Sequence, residues 1–129
     1  MSQPIVFVSH FRVKEGKLEG ARRPWQEASR RLEEEKPRTL VFLGYLDRDG
    51  THVTMVHVFA DADSMDLHVE GAGERSTAAY EFVEPEGFEI YGTPSDRVLE
   101  MLRREAATAG VTLTHQPENL VGFLRVKSG

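Results

Sequence analysis

Five histidines, three tyrosines and one tryptophan carry most of the chemistry open to this chain, which contains no cysteine. Disulfides, thiolate zinc sites, iron–sulfur clusters and cysteine nucleophiles are thereby excluded. His57 stands between Met55 and Phe59 on one face of a strand pattern, as a cavity base or as a satisfied interior histidine. His68 falls within a helical pattern, and an imidazole with a reference pKa of about 6.5 both takes and gives protons near neutrality. His10 belongs to the opposite face of the first strand, whereas His52 and His115 are expected at the surface. Trp25 lies on an apolar helical stripe, where it packs in a core or stacks on a flat ligand. Tyr45, Tyr80 and Tyr91 offer phenolic hydroxyls. No H-x-x-x-H or H-E-x-x-H pair occurs, so no metal site is expected. G-x-S-x-G, G-x-G-x-x-G and P-loop patterns are also absent. Any chemistry must therefore run on histidine, hydroxyls and the substrate itself, and no cofactor is expected.

The elements that must position these residues follow from hydrophobic periodicity. Ile5–Val13 reads as a strand, with Ile5, Phe7, Ser9, Phe11 and Val13 on one face and Val6, Val8, His10 and Arg12 on the other. Both faces begin apolar, which suits a central strand. Leu18, Ala21, Trp25, Ala28 and Leu32 recur at helical spacing. Pro24 either kinks this helix or opens its main part, and Pro37 ends it. Thr39–Asp47 and Thr51–Phe59 form a hairpin around Asp49-Gly50. A helix capped by Asp61 or Asp63 begins near Ser64, and Gly71-Ala72-Gly73 divides it. Phe88–Tyr91 is a fourth strand. A helix capped by Ser95 and stopped by Gly110 follows, then strands over Val111–His115 and Leu120–Val126.

The resulting order is β-α-β-β-α-β with an appended C-terminal α-β-β, in one domain spanning residues 1–129. The first six elements predict an α+β fold with a ferredoxin-like antiparallel sheet and helices on one face. The other face would expose Val6, Val8, Val56 and Val58, so a homodimer is expected to cover it.

Three segments carry a resemblance. They are Phe7-Val-Ser-His-Phe-Arg-Val-Lys-Glu-Gly-Lys17, Val56-His-Val-Phe-Ala-Asp61 and Ser64-Met-Asp-Leu-His68. Over roughly residues 4–92 the chain resembles the antibiotic biosynthesis monooxygenase domains of the dimeric α+β barrel superfamily. The resemblance implies a ligand cavity between helices and sheet, lined by Phe7, Phe11, Trp25, Tyr45 and Met55. It implies His68, His57 and Ser9 as candidate catalytic residues, with a small apolar or aromatic ligand. The expected function is cofactor-independent oxygenation of a phenol- or hydroquinone-like substrate; the alternative is a non-catalytic ligand-binding or interaction module of the same fold. The haem-degrading branch carries an asparagine on the first strand and a histidine late in the second helix, where this chain has Ser9 and Glu74-Arg75-Ser76.

The formal net charge is −5, which does not suit a nucleic-acid binder. Residues 1–60 carry a balance of +2 and residues 61–129 a balance of −7, from complementary faces or from differently charged solvated helices. The N-terminus, Met1-Ser2-Gln3-Pro4, lacks a basic region followed by an apolar run, and no run approaches the roughly 20 residues of a membrane span. A cytoplasmic protein without membrane contact is expected.

Overall fold

The computed structural model describes residues 3–125. Five strands and four helices run β1 (Ile5–Val13), α1 (Leu18–Glu35), β2 (Thr39–Leu46), β3 (His52–Phe59), α2 (Ala62–Val69), α3 (Ala72–Ala79), β4 (Val83–Tyr91), α4 (Asp96–Ala109), β5 (Thr112–Gln116). The sheet order is β2-β3-β1-β4-β5. β5 joins β4 in parallel, because α4 carries the chain back over the sheet before β5 begins. The sheet is thus mixed at one edge, and antiparallel elsewhere.

Alternation sorts the β1 side chains as expected. Ile5, Ser9 and Val13 are buried beneath the helices, and Val6, Val8 and His10 point to the opposite, open face. Helix α1 runs unbroken through Pro24. The proline removes a donor to Gly20, and both residues are exposed, so water can satisfy the free carbonyl. Strand β4 begins five residues earlier than the sequence pattern indicates. Pro85 and Gly87 disguise it, and the β1–β4 register shifts at His10/Phe11 beside them. The expected last strand is not formed. Residues 120–125 have no regular structure, and Val126 lies outside the described residues.

Capping fixes the helix that matters most for the site. The Asp61 carboxylate accepts from the Ser64 amide at 2.8 Å and from its hydroxyl at 2.7 Å, which starts α2. Gly71, at φ 82°, takes the left-handed turn between α2 and α3. Ser95 caps α4 in the same manner, and Gly110 ends it at φ 69°.

The core falls into two clusters. Ile5, Phe59, Met65, Ile90, Val98 and Leu102 form one, beneath α2 and α4. Val13, Val53 and Val83 form the other, joined by Leu18, Trp25 and Phe82. Along the seam between them, Phe7 packs against the first cluster and Phe11 and Met55 against the second, each only partly buried.

Candidate functional site

The seam is floored by three aromatic residues and a methionine on β1, β3 and the edge strand β2. Phe7 and Phe11 on β1, Phe42 on β2 and Met55 on β3 are only partly buried, although all point to the helix side. Side chains at such positions are normally sealed by the layer above. Phe88 is buried beside them and stacks on Phe7 with ring centroids 6.1 Å apart. Ser9 is buried between Phe7 and Phe11, opposite Met55 and Phe88 in the register. Gly44 has a steric reason to lack a side chain. A Cβ there would stand 2.7 Å from Met55 Sδ, so glycine lets Met55 lie over β2.

Two histidines meet at the end of this floor. His57 rises from β3 and His68 comes down from α2; both are buried, and their rings cross edge-on at 5.4 Å. Phe7 and Phe42 each stand 5.2 Å from His57, and Phe59 stands 5.0 Å from His68. His57 Nδ1 lies 3.1 Å from the Phe7 carbonyl. A carbonyl only accepts, so Nδ1 carries the proton and Nε2 keeps its lone pair. His68 Nδ1 shares a 2.7 Å hydrogen bond with the Thr39 hydroxyl.

Burial dominates the electrostatics of this pair. Loss of hydration pushes His57 down to about 4, with a smaller contribution from the Arg75 guanidinium. His68 is pushed down to about 3 by burial first, then by His57, Arg75 and Lys36. Both imidazoles are therefore neutral at pH 7. Arg75 also holds the end of α2, donating to the carbonyls of His68 and Glu70.

Access to His68 is through a cleft of about 150 Å³ between the α1–β2 connection and α2. Thr39, Ser64 and His68 supply its polar lining, and Lys36, Leu67 and Glu70 its rim. His57 lies behind His68 as seen from this opening. A second, shallower depression of about 440 Å³ runs between α4 and the start of β4, over Pro85 and Met101. There the Tyr80 hydroxyl donates to Glu105 at 2.5 Å, and burial with this carboxylate raises the phenol.

The remaining sequence candidates lie apart from the histidine pair. Trp25 packs edge-on against Phe82 in the second cluster, at 6.1 Å. Tyr45 pairs with Thr54 and is 60% exposed on the open face, so within one chain it cannot line the helix-side floor. Tyr91 is also on the open face and donates to Glu89, which His10 contacts too. His115 is half-buried, not at the surface, and bonds the Gly92 carbonyl. Sequence reasoning missed Thr39, Phe42 and Arg75. The β2–β3 register identifies Phe42, the partner of His57; nothing local marks the other two.

No family model and no curated protein matches the sequence. The three-dimensional comparison finds the fold in solved structures, among them one described as a putative antibiotic biosynthesis monooxygenase from Caulobacter crescentus, with a TM-score of 0.60 at 14% identity, over 69% of this chain and 88% of its own. MupZ from Pseudomonas fluorescens superimposes with a TM-score of 0.67 at 16% identity, over 95% of this chain and 91% of its own. SnoaB from Streptomyces nogalater, a cofactor-independent oxygenase, gives 0.59 at 15% identity, over 73% of this chain and 96% of its own. At these identities the likeness establishes the fold, and the chemistry has to be argued from the site. No helix among the described residues is long and apolar enough to cross a membrane.

Proposed function

We propose that the seam binds a small neutral aromatic molecule and that the chain oxygenates it without a metal or bound flavin. The observation that carries this reading is the pairing of an unsealed aromatic floor with two buried, uncharged imidazoles. A flat ligand stacks on Phe7, Phe11 and Phe42 and replaces water over them. His68, the histidine that the cleft reaches, accepts a proton from an acidic C–H or O–H of the substrate. The anion so formed offsets the desolvation that keeps the imidazole neutral in the chain alone. The substrate anion passes an electron to oxygen, and recombination at carbon followed by loss of water converts a ring CH₂, or the CH₂ of a phenol's keto tautomer, plus O₂ to C=O plus H₂O. The substrate supplies all the electrons, so no external reductant enters. Ser9 and the Thr39 hydroxyl are the neutral donors near the developing charge. SnoaB, described as a cofactor-independent oxygenase, offers a precedent for such chemistry on this fold.

The depressed basicity of both histidines favours a second reading, a ligand-binding module without turnover. Oxygen uptake with a panel of anthrones and hydroquinones separates the two. Turnover by the native chain that falls at least about tenfold in His68→Gln supports the oxygenase. Thermal stabilisation by the same compounds with no oxygen consumed would leave the binding module.

The open face supports a homodimer. Leu43, Val56 and Val8 form one row across β2, β3 and β1, and Val41, Val58 and Val6 form the next. We propose that a second copy covers these rows, which would otherwise present a continuous apolar surface to water.

A further inference from the structure

Tyr80 closes α3 between two spaces that the fold keeps apart. Its ring centroid stands 6.2 Å from that of Phe11. Phe11 floors the end of the seam away from the histidines, since Phe7, four residues earlier on β1, is the one that meets His57. Tyr80 also lines the depression of about 440 Å³ under α4, together with Pro85, Met101 and Ala109. Pro85 is the β4 partner of Phe11, so the Tyr80 ring stands between the end of the floor and the depression. From Phe7 to Phe11 the floor runs about 13 Å along the strand before it meets this ring.

The ring is fixed at both ends. The Tyr80 amide donates to the Ser76 carbonyl at 2.8 Å, and Lys14 Nζ donates to the Tyr80 carbonyl at 2.6 Å, which hold the backbone. The hydroxyl donates to Glu105 of α4 at 2.5 Å, which ties the side chain across the gap between α3 and α4. A phenylalanine would pack on Phe11 equally well; the hydroxyl adds a fixed direction, across the end of the seam.

We propose that Tyr80 is the end wall of the seam and sets the length of the ligand that the seam admits. The inference rests on the aromatic-ligand reading above and adds to it the residue that limits ligand size. A phenol seated beside His68 directs its para substituent along Phe7 and Phe11 toward Tyr80. A short tail gains contact with these rings, and a longer one meets the wall and is excluded. Beyond the wall the surface is again apolar at Pro85, Met101 and Ala109, so a tail that passed would have more surface to cover.

A series of 4-alkylphenols from ethyl to decyl measures this length, with binding to the full-length chain followed by calorimetry. Affinity for the native chain should rise by up to about fourfold per methylene, then stop rising once the tail reaches Tyr80. In Tyr80→Ala the break should move to tails longer by about three carbons or more, while the ethyl compound binds within about twofold of native. Tyr80→Leu, which keeps an apolar side chain in the second cluster, should move the break in the same direction. Adding Ala109→Trp to Tyr80→Ala refills the depression and should cancel the gain for long tails alone. An unmoved break in folded Tyr80→Ala and Tyr80→Leu overturns the wall and leaves the aromatic site standing. A native affinity that climbs without a break through decyl overturns it as well. A native chain that binds none of the series overturns both readings.

Discussion

His57 and His68 differ in chain position by eleven residues and in element, yet they share one desolvated site. Their effect on stability has a definite sign. Each is neutral when folded and has its pKa lowered from 6.5, to about 4 for His57 and about 3 for His68. The unfolded chain therefore binds more protons below pH 6.5, and stability present above that value drains away as pH falls toward 4. Urea unfolding of the native chain should show this loss between pH 6.5 and 4. Most of this window lies above the carboxylate range, because hydrogen bonds from Thr51 and Ser64 hold Asp47 and Asp61 below the ordinary carboxylate value. In His57→Phe the surrounding aromatic box accepts a ring of similar size, so the pH dependence should flatten. Equal stability of the native chain at pH 7 and pH 4.5 would sink this account. The sequence marked both residues as candidates, but their neutrality comes from packing by Phe7, Phe42 and Phe59, which only the folded chain supplies.

At the level of elements, α2 is the part that brings His68 to the sheet. It is short, and its start depends on the Asp61 carboxylate, which also meets Arg38 at 3.2 Å. Asp61→Ala should cost about 1 kcal/mol in thermal or urea unfolding. Because Asp61 caps this helix, hydrogen exchange should rise first along Ala62–Val69. Uniform exchange across all helices would show that α2 is held by its packing alone. This cap was legible in the sequence, as were the Gly71 break and the Ser95 cap, because each is a local event within a few residues. The start of β4 and the fate of Leu120–Val126 were not legible. A bulge hides alternation in the first, and the second has strand-forming residues but no strand beside it in its own chain.

On the scale of the whole molecule, the sheet is finished on one side and open on the other. The helices seal most of one face and leave the seam; the open face keeps two apolar rows bordered by the Thr54–His10–Glu89–Tyr91 cluster. Val56 sits at the centre of the row that joins Leu43 to Val8. A carboxylate there would be desolvated by a second sheet, whereas in a free subunit with one wet face it costs only about 1 kcal/mol of strand propensity. Val56→Asp should therefore shift the sedimentation boundary from dimer to monomer while the far-ultraviolet spectrum stays unchanged. An unaltered dimer would mean that the chains associate through another surface.

The sequence by itself determined what is local: which residues share a strand face, where helices start and stop, and that no thiol or nucleotide motif is present. From these the ferredoxin-like order and the open apolar face followed, since alternation and capping are written within a few residues. Only the tertiary structure decided that Phe42 faces His57, that Tyr45 points away from it, that β5 joins in parallel, and that the core divides around a seam. Those outcomes depend on register and on the crossing of helices over the sheet, which couple residues tens of positions apart. No local pattern records that coupling, and burial, which sets the chemistry of the two histidines, exists only once it is made.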